Sequence, residues 1–104
     1  MYRTAITIKD INAQIDRLNR ITNSPAASSY RDEHGQFYSN VGNYYLSRAY
    51  GGCQVQRIVN KQGAADHPIT GSHVPKRECF ITLVAFIEGF EAARVQAWQE
   101  AKTG

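Results

Sequence analysis

Along residues 8–22 the apolar positions Ile8, Ile11, Ile15, Leu18 and Ile21 recur three or four residues apart. That is one stripe of an amphipathic helix, with Lys9, Asp16, Arg17 and Arg20 outside it. Thr7 and Asp10 stand where a capping box places a hydroxyl and an acid. Asn23-Ser24-Pro25 closes the pattern, because proline disfavours helical geometry at the residue before it. Turn formers then dominate residues 24–35; a strand is predicted near Tyr30, a turn through Asp32 to Gly35, and a strand at 36–39. Next the period becomes two. Runs at 44–50 and 53–60 flank Gly51-Gly52, which predicts a tight hairpin, since glycine takes positive φ freely. Tyr50 would then face Cys53, Arg48 Val55, Leu46 Arg57 and Tyr44 Val59, all eight on the face that packs against the helices. Tyr45, Ser47, Ala49, Gln54, Gln56 and Ile58 take the other face. Arg48 and Arg57 thus fall on a core-facing sheet, where each must reach out to water, pair with an acid or line an anion pocket. A bulge at the glycines would shift the register and remove the conflict.

Residues 61–74 show no period and are predicted to form a long loop, a length usually associated with function or mobility. From Pro75 a second helix is predicted over 75–101, with Phe80, Leu83, Val84, Ile87 and Phe90 as its buried stripe and Val95 and Trp98 continuing it. It would span about 40 Å at 1.5 Å per residue, more than a 104-residue chain can cover. Its end, with Trp98, is therefore expected either to pack against another subunit or to fray. Gly89, unfavourable inside a helix, suggests a close contact or a bend. The layout is a single-domain α+β fold over residues 1–104: an N-terminal helix, an antiparallel meander of two to four strands and a long C-terminal helix, in two layers.

Composition narrows the class. Apolar residues make up 42% and charged residues 20%, which fits a folded chain and not a disordered one. No apolar run approaches the ~20 residues that cross a bilayer, and Met1-Tyr2-Arg3-Thr4-Ala5-Ile6 has no leader-like apolar stretch, so no membrane association and a cytoplasmic location are expected. Cys53 and Cys79 are expected as free thiols, Cys79 in the core. The net charge of +3 is uneven: residues 36–77 hold Arg48, Arg57, Lys61, Lys76 and Arg77 against Asp66 alone. Such a positive middle suggests an anionic partner.

Two clusters could hold that partner. Tyr44, Arg48, Tyr50 and Arg57 offer π faces and planar forks beside glycines that allow close approach. Ser72, His73, Lys76 and Arg77 stand at a helix start, where free N–H groups and the helix dipole already favour anions. Tyr44, Arg48, Tyr50, Arg57, His73, Lys76 and Arg77 are the candidate ligand residues. At least one of Arg48 and Arg57 is expected to share a concave site with Lys76 or Arg77. The competing expectations are tyrosines that only pack, a solvated first turn, and arginines closed off by acids such as Asp16 or Glu88. Asp66-His67 and His73 could supply a general base, but no nucleophile motif or phosphate-binding loop accompanies them, so no enzyme is expected. His67, His73 and a cysteine match no common zinc spacing, so no metal or cofactor is expected either.

The segment Gly42-Asn43-Tyr44-Tyr45-Leu46, Ala49-Tyr50-Gly51-Gly52, Arg57 and Asn60, followed by Gly71, His73-Val74-Pro75-Lys76-Arg77-Glu78 and Phe86-Ile87-Glu88-Gly89, resembles a group of small uncharacterised proteins of tailed bacteriophages. The resemblance runs over about residues 7–90. Cys79 departs from it, standing where a larger residue is expected, and no catalytic residue carries over. The resemblance implies a phage accessory protein in the host cytoplasm. By analogy with compact phage proteins it suggests a homo-oligomeric sponge that sequesters a host immune signalling nucleotide. The alternatives are a nucleic-acid-binding accessory protein and a protein inhibitor of a host enzyme.

Overall fold

The computed structural model describes residues 5–103, with only the backbone of Thr103; residues 1–4, part of the stretch read for a leader, lie outside it. Its elements are α1 (Ile8–Ile21), β1 (Ser29–Arg31), β2 (Phe37–Ser39), β3 (Tyr44–Ala49), β4 (Gly52–Ile58), β5 (Ala65–Asp66) and α2 (Lys76–Thr103). This is the expected α+β arrangement, but the strands form two antiparallel sheets, β1-β2 and β3-β4-β5, where a single meander was predicted.

The capping box starts α1. Asp10 N–H donates to Thr7 Oγ1 at 3.2 Å and Thr7 N–H donates to Asp10 Oδ2 at 2.9 Å. Such caps stabilise a helix by about 1 kcal/mol. The apolar stripe delivers Ile11, Ile15 and Leu18 to the core. There they meet Tyr44, Cys53 and Val55 from β3-β4 and Cys79, Leu83 and Ile87 from α2. Arg17 pairs with Glu91 across the two helices. Asn19, buried beside Tyr44, stitches α1 to the sheet: its Nδ2 donates to Tyr44 O at 3.0 Å and Tyr44 N–H donates to its Oδ1 at 2.9 Å.

The hairpin register differs from the expected one. Tyr50 and Gly51 form the turn, with φ of 55° and 74°, and the pairs are Arg48 with Cys53, Leu46 with Val55 and Tyr44 with Arg57. Gly52 is not free for the turn, because it lies against the strand before α2. A Cβ there would stand 2.9 Å from Val74 O and 3.0 Å from Val74 N, while Cys53 and Val74 exchange backbone hydrogen bonds of 2.7 and 2.9 Å. Moving the turn back by one residue shifts every pair by two and so leaves each side chain on its expected face. Leu46 gains an apolar partner. No bulge intervenes, and both arginines stay on the helix-facing side, resolved by position: they sit at opposite ends of the ladder and are exposed.

The segment after β4 is not structureless. β5 pairs with β4, setting Arg57 opposite Asp66, and the chain then crosses the outer face of the sheet, where the Gln54 side chain donates to Thr70 O at 3.0 Å. Gln54 is buried as a result. Gly89 marks no close contact, since a Cβ would meet nothing within 4 Å. At 28 residues, α2 is about 42 Å long, and all of residues 92–102 are exposed. The radius of gyration, 15.8 Å, exceeds the ~13 Å of a compact chain this size.

Candidate functional site

The hairpin turn and the start of α2 meet because β4 bridges Val74 two residues before the helix. α2's own hydrogen bonds begin with Cys79 N–H to Pro75 O at 2.9 Å, so the preceding N–H groups point out of the helix end. Beside that end lies an open hollow of about 460 Å³, lined by Arg48, Ala49, Gly51, Gly52, Cys53 and Lys76. Two of these residues are cations and none is acidic. Gly51 leaves its backbone open, since a Cβ there would meet nothing within 4 Å, whereas Gly52 is covered by Val74.

Tyr50 and His73 are not in its wall but neighbour it in the chain, Tyr50 between Ala49 and Gly51 and His73 just before Val74, the bridge partner of Cys53. Tyr50 is 96% exposed and holds positive φ, a conformation that costs a non-glycine residue about 1–2 kcal/mol. Its ring meets the His73 ring edge-on, with centroids 5.7 Å apart. His73 is fixed from behind, because its Nε2 shares a 2.9 Å hydrogen bond with Ser47 Oγ. A serine beside a histidine suggests a nucleophile and base, but Ser47 lies mid-strand in β3 and no carboxylate orients the ring among the described residues. The Ser47 hydrogen bond fixes the His73 ring that Tyr50 meets.

Of the seven candidate residues, Arg48, Tyr50, His73 and Lys76 thus gather at one end of the hairpin. Arg77 is exposed in the same first turn but does not line the hollow. Two others lie elsewhere. Tyr44 is buried, 7% exposed, with both backbone groups held by Asn19, and belongs to the core. Arg57 sits four residues along β4 from Cys53, about 13 Å at strand rise, opposite Asp66. The sequence reading took the glycines as room for close approach, but missed Cys53 as lining and Ser47 as the support for His73. Neither gave a local signal, because both positions depend on the packing of the segment before α2 on β3 and β4.

Cys79 lies in the core next to this region. Burial, and then the neighbouring Cys53, push its thiol from 9.0 up to about 11, so it stays protonated and poorly nucleophilic. Among the described residues no group of three or more His, Cys, Asp or Glu could hold a metal ion, and no helix is long and apolar enough to cross a membrane. No protein family, curated protein or solved structure matches the chain.

Proposed function

We propose that the chain is a non-catalytic binder of a phosphorylated small molecule, held by Arg48 and Lys76 in the hollow at the start of α2. The observation that carries this reading is two cations lining one hollow without an acid in its wall. Guanidinium offers a fork for phosphate oxygens, and the dipole of α2 favours an anion near its start. Tyr50 supports it from another direction. A tyrosine nearly free of packing in a left-handed turn position costs stability, and such local cost accumulates at functional positions. Of the two candidate tyrosines, Tyr44 belongs to the core and Tyr50 is the one left to stack on a base beside this hollow. The resemblance to tailed-phage proteins makes signalling nucleotides the first class to test, with sequestration by a homo-oligomer as the mode of action.

A second reading, single-stranded nucleic acid, has its own observation. The β1-β2 hairpin exposes Phe37 at 59% and Tyr30 at 41%, with the Arg31 guanidinium 4.4 Å above the Phe37 ring. Aromatic and basic groups in alternation suit base stacking. Calorimetry with pyrophosphate, mononucleotides and cyclic dinucleotides, then with oligonucleotides at two salt concentrations, separates the two. The leading reading expects a response to the small phosphates. Oligonucleotide binding with a steep salt slope, and none to small phosphates, would replace it with the second.

A further inference from the structure

We propose that two copies of the chain pair antiparallel through the outer face of α2, with Val95 on the two-fold axis. The proposal deepens the oligomeric part of the function above and does not depend on what the hollow binds.

The face is defined by spacing. Ile81, Ala85, Glu88, Ala92, Val95, Gln99 and Lys102 follow one another at alternating steps of four and three, and every one is exposed. Such a repeat keeps to one side of a helix and forms the seam of a coiled coil. It points away from Cys79, Leu83 and Ile87, which are fully buried on the opposite side. Val95 is 55% exposed, and Ala92 one turn before it lets a second helix come close; Ile81 and Ala85 share the face but lie beyond the overlap of the two copies. Contact with the rest of the chain fades at Arg94, which donates to Ile21 O at 3.0 Å. A helix segment of the length that follows is marginal in water without tertiary packing.

Charge chooses the occupant and the direction. Glu88 lies as far before Val95 as Lys102 lies after it. Antiparallel pairing about Val95 therefore sets Glu88 of each copy against Lys102 of the other. Parallel pairing would set like charge on like. Lys102 already leans over the exposed Trp98 ring at 4.4 Å, and Trp98 flanks the seam at the height of Ala92 in the second copy. Opposed helix dipoles also favour this direction. The shared stretch, residues 88–102, is only about 21 Å long, so the contact belongs with interfaces under about 1,200 Å² and should dissociate on dilution.

Sedimentation from low-micromolar to millimolar concentration should show a reversible dimer. Val95→Glu should abolish it, Glu88→Lys should weaken it at least tenfold, and Glu88→Lys with Lys102→Glu should restore it. Under a mild thiol oxidant Val95→Cys should give a covalent dimer, because on the axis that residue meets itself, and Ile81→Cys should not; native Cys53 and Cys79 are buried and give little background. A monomer throughout, a dimer that Val95→Glu leaves intact, or equal cross-linking at positions 81 and 95 overturns the arrangement. Because Val95 is exposed, Val95→Glu should remain folded. Its pyrophosphate titration then reports on the hollow alone, so failure of the dimer and failure of the anion site are told apart.

Discussion

Arg48 and Arg57 leave the same face of the hairpin but meet different surroundings, and that difference is the sharpest test at the scale of single residues. Arg48 shares its hollow with Lys76, while Arg57 lies opposite Asp66. Arg48→Gln or Lys76→Gln should cut pyrophosphate affinity at least tenfold, on the order of 1.4 kcal/mol or more. Arg57→Gln should leave it within about twofold, well under that figure. Calorimetry on the three variants checks this. Arg48→Lys should fall between, since an ammonium keeps the charge and loses the fork. Cys79 gives a separate prediction. Its thiol ionises near 9.0 when unfolded and near 11 in the fold, so the buried neutral form stabilises the protein fully below the lower value. That contribution is lost as pH rises through the window between them. Urea midpoints measured across the window should fall with pH, and Cys79→Ala should flatten the slope.

At the scale of elements, the two turn residues and Gly52 carry opposite expectations. Gly52→Ala drives a methyl into the Val74 backbone, which cannot retreat without breaking the Cys53–Val74 bridge. It should destabilise by about 1–3 kcal/mol, the usual cost of overpacking. Tyr50→Asn puts a residue that accepts left-handed geometry into the turn and should raise stability by up to about 1 kcal/mol. If Tyr50 serves the ligand, the same change should also weaken nucleotide binding. Thermal and chemical melts of the two variants check the signs. These positions also show where the sequence was legible. The stripe from Ile8 to Ile21 and the cap at Thr7 are local patterns, so α1 could be read to within a residue. Which of the residues at 50–52 make the turn is decided by Val74, more than twenty residues away, and no local pattern carries that. The aperiodic segment after β4 joined the sheet through a different contact, the two-residue pairing of Ala65 and Asp66 with Ile58 and Arg57, which is too short to leave a period in the sequence. Arg57 entered the candidate site because strand parity fixes a face and says nothing of distance along it.

The whole molecule is a small core with a projecting helix. Packing ends near Arg94, so removing residues after it should change the melting temperature of dilute protein little and abolish self-association at high concentration. A large loss of stability in dilute protein would instead mean that the helix end packs on its own chain. The length of α2 was visible in the sequence, as was the excess over what one core can cover. Its seam was not, because Ile81, Ala85 and Ala92 are spread among a second, stronger stripe that the core claims. The central claim concerns the other end of α2, where Arg48 and Lys76 face a hollow without an acid. Pyrophosphate titrated into isotopically labelled protein, followed by amide chemical shifts, tests it most directly. The expected result is a saturable set of shifts confined to residues 48–53 and 73–78, absent in Lys76→Gln. Shifts centred on β1 and β2, or none that saturate, would contradict it.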